Sequence, residues 1–560
     1  MKPVRRNGLS IMISLISLLG KLKYIIFIAV LGGFAGNCCA IAVTTLGACC
    51  AAKLMDPSFT DASLGLLVGL TIGAGVLRGL LRFAEQYNNH FIAFKLLSSL
   101  RDRIFGQLRV LAPARLEGQQ KGSLIAMLTA DVETLEVFYA HTISPMMIAL
   151  LTDGTAALLI GLIGGWQLGL VALCAYLVIG IAVPFGASAV LKKDGMNYRR
   201  QFSLSSAYFL DSVRGVSDIV MNGRVNERGT ELNRQSERMN TSTVSMRRKN
   251  AAVSALTGLT VSLTIMAAAA VGIVMAANGQ ASIAPVTVSL VLLFSSFGPV
   301  LSLAGLPANL TQTFAAGDRI LNFMDEKPQV IENREGTELK NFEKLEIRDL
   351  SFGYEGNEVL KNVDLTINKG EIVGLIGPSG CGKSTLLKLF LRFYDPNNGK
   401  VMYNGTDLKQ INTASLHRTA VMVSQDTWLF DRTIRENLLT ANPNATEQQM
   451  REACRMAAVD ELIEQLPLKY ETEAGLLGSS MSTGERQRIG LARAFLSGAP
   501  VLLLDEVTSN VDAINEGIIL GSLKEAAKDR TIILVSHRES TIGICNKVYA
   551  VKEGRVEAVR

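Results

Sequence analysis

The sequence predicts a multi-domain membrane protein: an all-α domain of six membrane-crossing helices, then an α/β domain built around a phosphate-binding loop. Three observations predict it. Six apolar stretches of bilayer length lie before residue 310. Beyond about residue 340 the composition becomes that of a soluble α/β protein. A glycine-rich loop starting at Gly377 stands between a buried strand and an apolar helix.

The 560 residues exceed one domain and suit two or three. Apolar residues make up 48% and mean hydropathy is +0.27, high for a soluble protein. The expected segments are 1–23, a cytoplasmic N-terminal or interfacial helix; 24–325, the membrane domain; 326–341, a linker; and 342–560, the α/β domain. Met1 to Lys23 is basic and then weakly amphipathic, as in a signal peptide. The apolar stretch behind it, Tyr24–Cys50, is too long for a cleaved segment, so a retained anchor is expected.

A hydrocarbon core about 30 Å thick needs roughly 20 apolar helical residues. The stretches that qualify are Tyr24–Cys50, Leu64–Phe83, Ile143–Gly165, Leu168–Val190, Val253–Ala277 and Pro285–Pro307. The turn Gly164-Gly165-Trp166-Gln167 divides the third from the fourth. Basic residues precede span one (Lys2, Arg5, Arg6, Lys21, Lys23), follow span four (Lys192, Lys193, Arg199, Arg200) and precede span five (Arg247, Arg248, Lys249). The opposite loops carry almost none, so both termini are expected in the cytoplasm of a cell membrane, in a bacterium the inner one. Apolar residues at three- and four-residue spacing in Phe91–Leu111 and Ser203–Met246 predict helices running past the bilayer into the cytosol.

The net charge of +6 would suit nucleic acid, but its basic residues cluster where segments leave the membrane on one side, and that placement speaks against nucleic acid as a partner. Eight cysteines show no metal-binding spacing, and those of span one (Cys38, Cys39, Cys49, Cys50) read as small apolar residues.

The strand Ile372–Ile376 runs into Gly377-Pro378-Ser379-Gly380-Cys381-Gly382-Lys383-Ser384-Thr385 and then an apolar helix. This is GxxxxGK[ST] in strand–loop–helix context. Its glycines let backbone N–H groups turn toward phosphate oxygens, and the helix N-terminus adds partial positive charge. Lys383 is placed to reach the β- and γ-phosphates, and Ser384 to bind Mg²⁺. A second strand, Val501–Leu504, ends in Asp505-Glu506. Asp505 suits a water-mediated Mg²⁺ contact and Glu506 a general base for the attacking water.

With these motifs the chain resembles an ATP-binding cassette (ABC) exporter half-transporter of the type IV fold along its whole length. Met481-Ser482-Thr483-Gly484-Glu485-Arg486-Gln487-Arg488 is similar to the family signature LSGGQ-RQR. Gln425 resembles the Q-loop glutamine, His537 the switch histidine, Ser509-Asn510-Val511-Asp512 the D-loop, and Tyr354 the aromatic that stacks on adenine. The resemblance implies an ABC ATPase domain using ATP and Mg²⁺, with Ser384, Gln425 and Asp505 around the metal. Glu506, His537 and Gln425 are its expected catalytic residues, and Asp512 the D-loop aspartate. Ser482, Thr483, Gly484 and Glu485 would meet ATP held by a partner's P-loop, two cassettes enclosing two nucleotides. It further implies coupling helices, for which Gly122–Ala130 and Ser203–Arg214 are the candidates, docking in a groove that includes Asp426–Phe430 with Trp428 and Phe430.

Three departures stand out. Thr483 replaces the first signature glycine and Glu485 the glutamine. They read either as a tolerated variant or as a sign of a heterodimer, toward which the partner, a second half-transporter, is tilted. Leu476 and Leu477 stand where many members carry Glu-Arg.

For the cargo path, intramembrane polar residues are the default candidates. Asn37 lies in span one, Asp153 in span three, and Arg78, Arg82 and Glu85 share one helical face. The arginines either snorkel to the interface or form a basic strip suited to an anionic cargo. Pro299 and Pro307 could kink span six. His90 and His141 read as exposed polar residues rather than haem ligands. Within the family, Ala112-Pro113-Ala114-Arg115-Leu116 and the glutamate-bearing signature look similar to bacterial exporters linked to cysteine or glutathione efflux and cytochrome assembly. The expected activity is ATP-driven export of a small or amphipathic solute. The alternatives are an importer on the same fold and an ATP-gated regulator or channel.

Overall fold

The computed structural model describes residues 6–114, 121–304, 306–354, 356–475, 478 and 480–560, without the side chains of 121–122, 188–195, 199, 304, 306–309 and 311. The expectations on Lys2, Arg5, Arg115, Leu116, Leu476 and Leu477, and on the side chains of Lys192, Lys193, Arg199 and Pro307, lie outside these residues. The chain forms two units, Met1–Leu108 with Gln119–Glu326, and Arg109–Gly118 with Lys327–Arg560.

The first unit is helical. Its described residues hold six helical segments long and apolar enough to cross a membrane: Gly20–Met55, Leu64–Leu111, Ser123–Gly164, Trp166–Ala187, Val225–Ala277 and Ile283–Leu303. A short helix, α1 (Gly8–Ser17), precedes α2 (Lys23–Met55) and α3 (Leu64–Leu111). Span three joins Lys121–Ala126, a π turn at Met127–Asp131, Val132–Phe138, a π turn at Tyr139–Ile143 and α4 (Ser144–Gly164). Span four begins as α5 (Trp166–Leu177), which follows a turn with Gly165 at φ 107°. Then come α6 (Val183–Arg214), the short α7 (Val216–Met221), α8 (Val225–Ala277), α9 (Ile283–Ala304) and α10 (Leu306–Met324).

The 53 residues of α8 rise roughly 80 Å at about 1.5 Å each, far beyond a hydrocarbon core of about 30 Å. Its N-terminal half is charged and its C-terminal half apolar, so the surplus lies outside the lipid. The predicted extensions are therefore present, with one correction. Ser203–Met246 is not one helix, because the chain breaks from Gly215 to Arg224 around α7. The tip of that excursion is α7, with Val216, Val220 and Met221 exposed, rather than Ser203–Arg214. At the other excursion, Arg109–Gly118 belongs to the second unit and Gly122–Ala130 to the first. Ala114 is buried in the core of the second unit, and its carbonyl accepts from Tyr394 Oη at 3.5 Å.

The apolar core between spans one, three, four and six includes Ile41, Ala156, Ile160, Ala172, Tyr176, Leu292 and Phe297. The π turn at Met127–Asp131 is tied to α10 by a bidentate pair, Arg319 Nε to Asp131 Oδ2 at 2.8 Å and Nη2 to Oδ1 at 2.5 Å. Helix α1 is pinned on the same side: Tyr139 Oη donates to Leu15 O at 2.8 Å, and Arg6 Nη2 reaches Asp325 Oδ2 at 2.5 Å.

The second unit holds two sheets. The antiparallel one runs β2 (Asn357–Asn368), β1 (Lys344–Tyr354), β4 (Asn398–Tyr403), β5 (Thr406–Asp407). The other has the order β10-β9-β3-β8-β7-β6, from Arg555–Ala558, Lys547–Lys552, Ile372–Ile376, Thr531–Val535, Val501–Asp505 and Ala420–Val423. All of its pairings except β10 with β9 are parallel. Strands β3, β7 and β8 are near-continuous buried apolar runs, the mark of strands covered on both faces. The register sets Leu375 and Asp505 against Val535 and Val423 against Leu504, so four carboxyl ends meet at one edge. Ligands of open parallel sheets bind at that edge.

Candidate nucleotide site and membrane cavity

Each of those four strand ends leads into predicted site residues. After β3 the phosphate loop curls into α11 (Lys383–Phe390), with Gly377, Gly380 and Gly382 at φ 147°, 79° and 110°. Gly377 is required sterically as well, since a Cβ there would lie 2.2 Å from Val551 O. Pro378, Ser379 and Cys381 complete the curl, and Thr385 is buried in the first turn of α11. Lys383 is 6% exposed. Its Nζ donates to the carbonyls of Gly377 and Pro378 at 2.8 Å each, so the ammonium sits inside the loop.

Asp505 closes β7 and is buried. Burial raises its pKa, and the neighbouring Glu506 charge adds to this, while the Ser384 hydroxyl and the nearby lysines pull it down. Glu506 follows at φ 52°, an uncommon conformation for a residue with a side chain. Its N–H donates to Val535 O at 3.0 Å, and its carbonyl accepts from Ser509 Oγ at 2.9 Å. These bonds aim the carboxylate between the ends of β6 and β8. There Gln425 Nε2 donates to Glu506 Oε2 at 2.9 Å, and His537 Nε2 stands 3.1 Å from Oε1. The three expected catalytic residues, far apart in sequence, are in direct contact.

Tyr354 ends β1 with its Oη 3.3 Å from Thr385 Oγ1 and its ring edge-on to Tyr394 at 5.2 Å between centroids. That places it beside the phosphate loop. The group Ser384, Gln425 and Asp505 offers a hydroxyl, an amide oxygen and a carboxylate, the oxygen donor set that suits Mg²⁺.

The signature caps α12 (Thr483–Ser497). Ser482 Oγ accepts from Glu485 N at 3.3 Å, and Ser482 N donates to Glu485 Oε2 at 2.9 Å, a full capping box. A carboxylate there also faces the positive end of the helix dipole. Glu485 thus has a local role that a glutamine could share. Glu485→Ala is expected to cost about 1 kcal/mol, read as a melting temperature of the cassette lowered by about 2–4 °C, while Glu485→Gln keeps the cap. Equal melting of the two variants would refute the box. The Thr483 hydroxyl accepts from Arg486 Nη2 at 3.2 Å. Gly484 cannot be replaced so easily, because a Cβ would lie 2.3 Å from Asn510 O of the D-loop. Asp512 turns inward on its own helix, α13 (Ala513–Ala526), where it accepts from Ile514 N and Asn515 N at 3.1 Å.

Sequence reading passed over two side chains here. Gln487, 1% exposed, donates to Gln425 O at 3.0 Å and to Ser509 Oγ at 3.3 Å, joining signature helix, Q-loop and D-loop. Arg493 donates to Trp428 O at 2.7 Å and Asn437 Oδ1 at 2.6 Å, and burial lowers its pKa to about 10. It lines a groove of about 610 Å³ with Thr427, Trp428 and Phe430. Their position inside a recognised motif, or on the buried face of its helix, was the available signal.

In the first unit a cavity of about 480 Å³ brings Asn37, Arg78 and Arg82 together with Glu85, His141 and Pro299. Arg82 Nη1 donates to buried Glu85 at 2.7 Å, whereas Arg78 pairs with no carboxylate among the described residues. Asp153 is not among the residues lining that cavity. It lies on the face of α4 that packs into the bundle, beside Tyr176, and its Oδ1 has no hydrogen-bond partner among the described residues. His141 is exposed and meets half-buried His90 edge-on at 5.7 Å, with no group of three metal-ligating side chains among the described residues.

Residues 360–509 match the family described as ABC transporter, and residues 23–300 the ABC transporter transmembrane region. The chain is 39% identical over 553 residues to a probable ABC transporter ATP-binding/permease protein of Haemophilus influenzae, covering 99% of this chain and all of that one. It is 31% identical over 476 residues to an ATP-dependent lipid A-core flippase of Syntrophus aciditrophicus, 83% of this chain and 77% of that one. Among solved structures, a bacterial Atm1-family ABC exporter with ATP bound superposes with a TM-score of 0.82 over 96% of this chain and 94% of that one, at 21% identity.

Proposed function

Because this chain belongs to the ABC transporter family, as an exporter half-transporter with an ATPase-coupled cassette, we propose that it pumps a small or amphipathic anionic solute outward by alternating access. The observation that carries this is the Glu506 carboxylate held between Gln425 and His537, on a chain with six membrane-spanning helices. Such a carboxylate fits a general base for water attacking the γ-phosphate. His537 orients it and Gln425 holds its second oxygen. The phosphate-loop N–H groups and Lys383 bind the phosphates, and Tyr354 stacks on the adenine. Ser384, Gln425 and Asp505 would hold Mg²⁺. When bound, the ion neutralises phosphate charge.

The chain works as a dimer with a second half-transporter, whose ATP the Ser482–Glu485 signature meets. Thr483, bulkier than glycine at that approach, tilts the partner toward a different chain. Purified alone, this chain would then hydrolyse ATP poorly, and vigorous turnover by the isolated homodimer would overturn that part. Both termini face the cytoplasm of a bacterial inner membrane. ATP closes the cassettes, hydrolysis reopens them, and the long helical extensions carry the movement as two-state gating.

The cargo class rests on the cavity. Arg78, which pairs with no carboxylate among the described residues, gives it a positive pole, and Asn37, Gln86 and Asn89 offer hydrogen bonds. Glu85 and Arg82 neutralise each other at one wall. A relative is named as a lipid A-core flippase, and a lipid cargo agrees with the amphipathic part of this class. The test is ATP-dependent solute flux in lipid vesicles, where ATP-gated conductance without accumulation would instead indicate a channel. Arg78→Ala is expected to weaken stimulation of the ATPase by anionic solutes about tenfold, one charge-assisted hydrogen bond's worth. Unchanged stimulation would remove the anionic assignment.

A further inference from the structure

Glu516 is a buried carboxylate that the hydrolytic scheme leaves unused. It lies on the first turn of α13, 6% exposed, and every bond to it comes from the segment that follows the switch histidine. Arg538 Nη1 donates to its Oε2 at 2.5 Å, while Ser540 Oγ and Thr541 Oγ1 donate to its Oε1 at 2.8 and 3.1 Å. Desolvation would raise its pKa, but these donors outweigh it and the pKa is lowered.

The guanidinium of Arg538 does more than pair with Glu516. Its Nη1 also reaches Val511 O at 3.2 Å, and its Nη2 donates to Ser509 O at 3.1 Å. Both carbonyls belong to the D-loop. One planar fork thus spans the D-loop backbone and α13, which Lys, a single point charge, could not do. Arg538 is covalently next to His537, whose Nε2 stands 3.1 Å from Glu506. On the far side of the D-loop, Ser509 Oγ donates to Glu506 O and accepts from Gln487 of the signature helix. The D-loop therefore bonds the Glu506 backbone carbonyl through Ser509, and it bonds Arg538, the residue that follows the switch histidine.

We propose that Glu516 and Arg538 form a positioning pair that locks His537 to the D-loop, so that hydrolysis depends on where the D-loop sits. Neither residue touches the reacting atoms, and both act through His537 and the Ser509–Val511 backbone. A D-loop displaced by closure of the second cassette would pull the Arg538 fork and with it the histidine. The carboxylate fixes the fork: without its negative charge the guanidinium is free to leave the two carbonyls.

The inference rests on the proposed roles of Glu506 and His537, so those are controls in its test. Full-length chain in lipid nanodiscs, with its partner half if one is required, is assayed for ATP turnover. Glu516→Gln and Arg538→Lys are each expected to lower kcat about tenfold or more, as a displaced positioning group does, with KM for ATP within about twofold. In a His537→Ala background, Glu516→Gln should add no further loss, because its effect passes through that histidine. A drop that multiplies with His537→Ala, or one that appears in KM with kcat intact, overturns the proposal. If Glu516→Gln shows no cooperative melting, Ser540→Ala removes one of the three donors and is judged by the same criteria at a smaller loss, about threefold. If Glu506→Gln itself leaves turnover unchanged, the reading beneath fails. If it abolishes turnover while Glu516→Gln does nothing, only the positioning pair fails.

Discussion

Glu506→Gln should reduce ATP hydrolysis by at least about a hundredfold while leaving Mg·ATP binding intact, the size expected for loss of a general base. The amide is isosteric and keeps an oxygen for Gln425 Nε2, now 2.9 Å from the carboxylate, so the local packing survives. What is lost is the group that takes the proton from water. The backbone also argues for a functional carboxylate. Glu506 holds φ 52°, which costs on the order of 1–3 kcal/mol for a side-chain-bearing residue. It persists because its N–H and carbonyl are both bonded, to Val535 and Ser509. That geometry points the side chain away from the sheet and toward His537. Single-turnover hydrolysis with nucleotide binding measured in parallel decides the matter. Turnover within a fewfold of the wild type would mean that another group activates the water.

Lys383→Met is the second large effect. Mg·ATP affinity is expected to fall about a hundredfold, roughly 2.7 kcal/mol. Lys383 is buried, and its Nζ is held by two loop carbonyls, so it is already desolvated and already aimed into the loop. A preplaced cation in a ring of N–H groups needs little reorganisation to meet phosphate. Methionine keeps the aliphatic stem, so the loss reports the charge rather than a cavity. Binding of a fluorescent nucleotide at constant salt is the readout, and undiminished affinity would place the phosphates elsewhere.

The two variants also differ in what they inform. Loss of binding in Lys383→Met stops the cycle before closure. Loss of hydrolysis in Glu506→Gln stops it after closure, so the membrane domain should rest in its ATP-closed form. Comparing protease accessibility of the α7 tip between them tests whether cassette closure reaches the exposed Val216, Val220 and Met221.

By itself the sequence determined much about this protein, for a physical reason. Spans one to six were readable because lipid offers no partner for a backbone N–H or C=O, so long apolar runs must be helices. The phosphate loop and Asp505-Glu506 were readable because they are local, a few residues on one strand end. Gln425 and His537 were readable only as family positions, for nothing in their own neighbourhoods states that they meet. Only the tertiary structure decided the rest. Parallel register brought β3, β6, β7 and β8 to a common edge and set Gln425 and His537 on opposite sides of Glu506. It turned Glu485 from an oddly placed charge into half of a capping box, and it set Asp153 among the buried residues of α4. It broke Ser203–Met246 at α7, although the apolar spacing on either side continued. Helical periodicity records which face of a helix is apolar. It does not record which neighbour covers that face, and the position of every paired side chain depends on that neighbour.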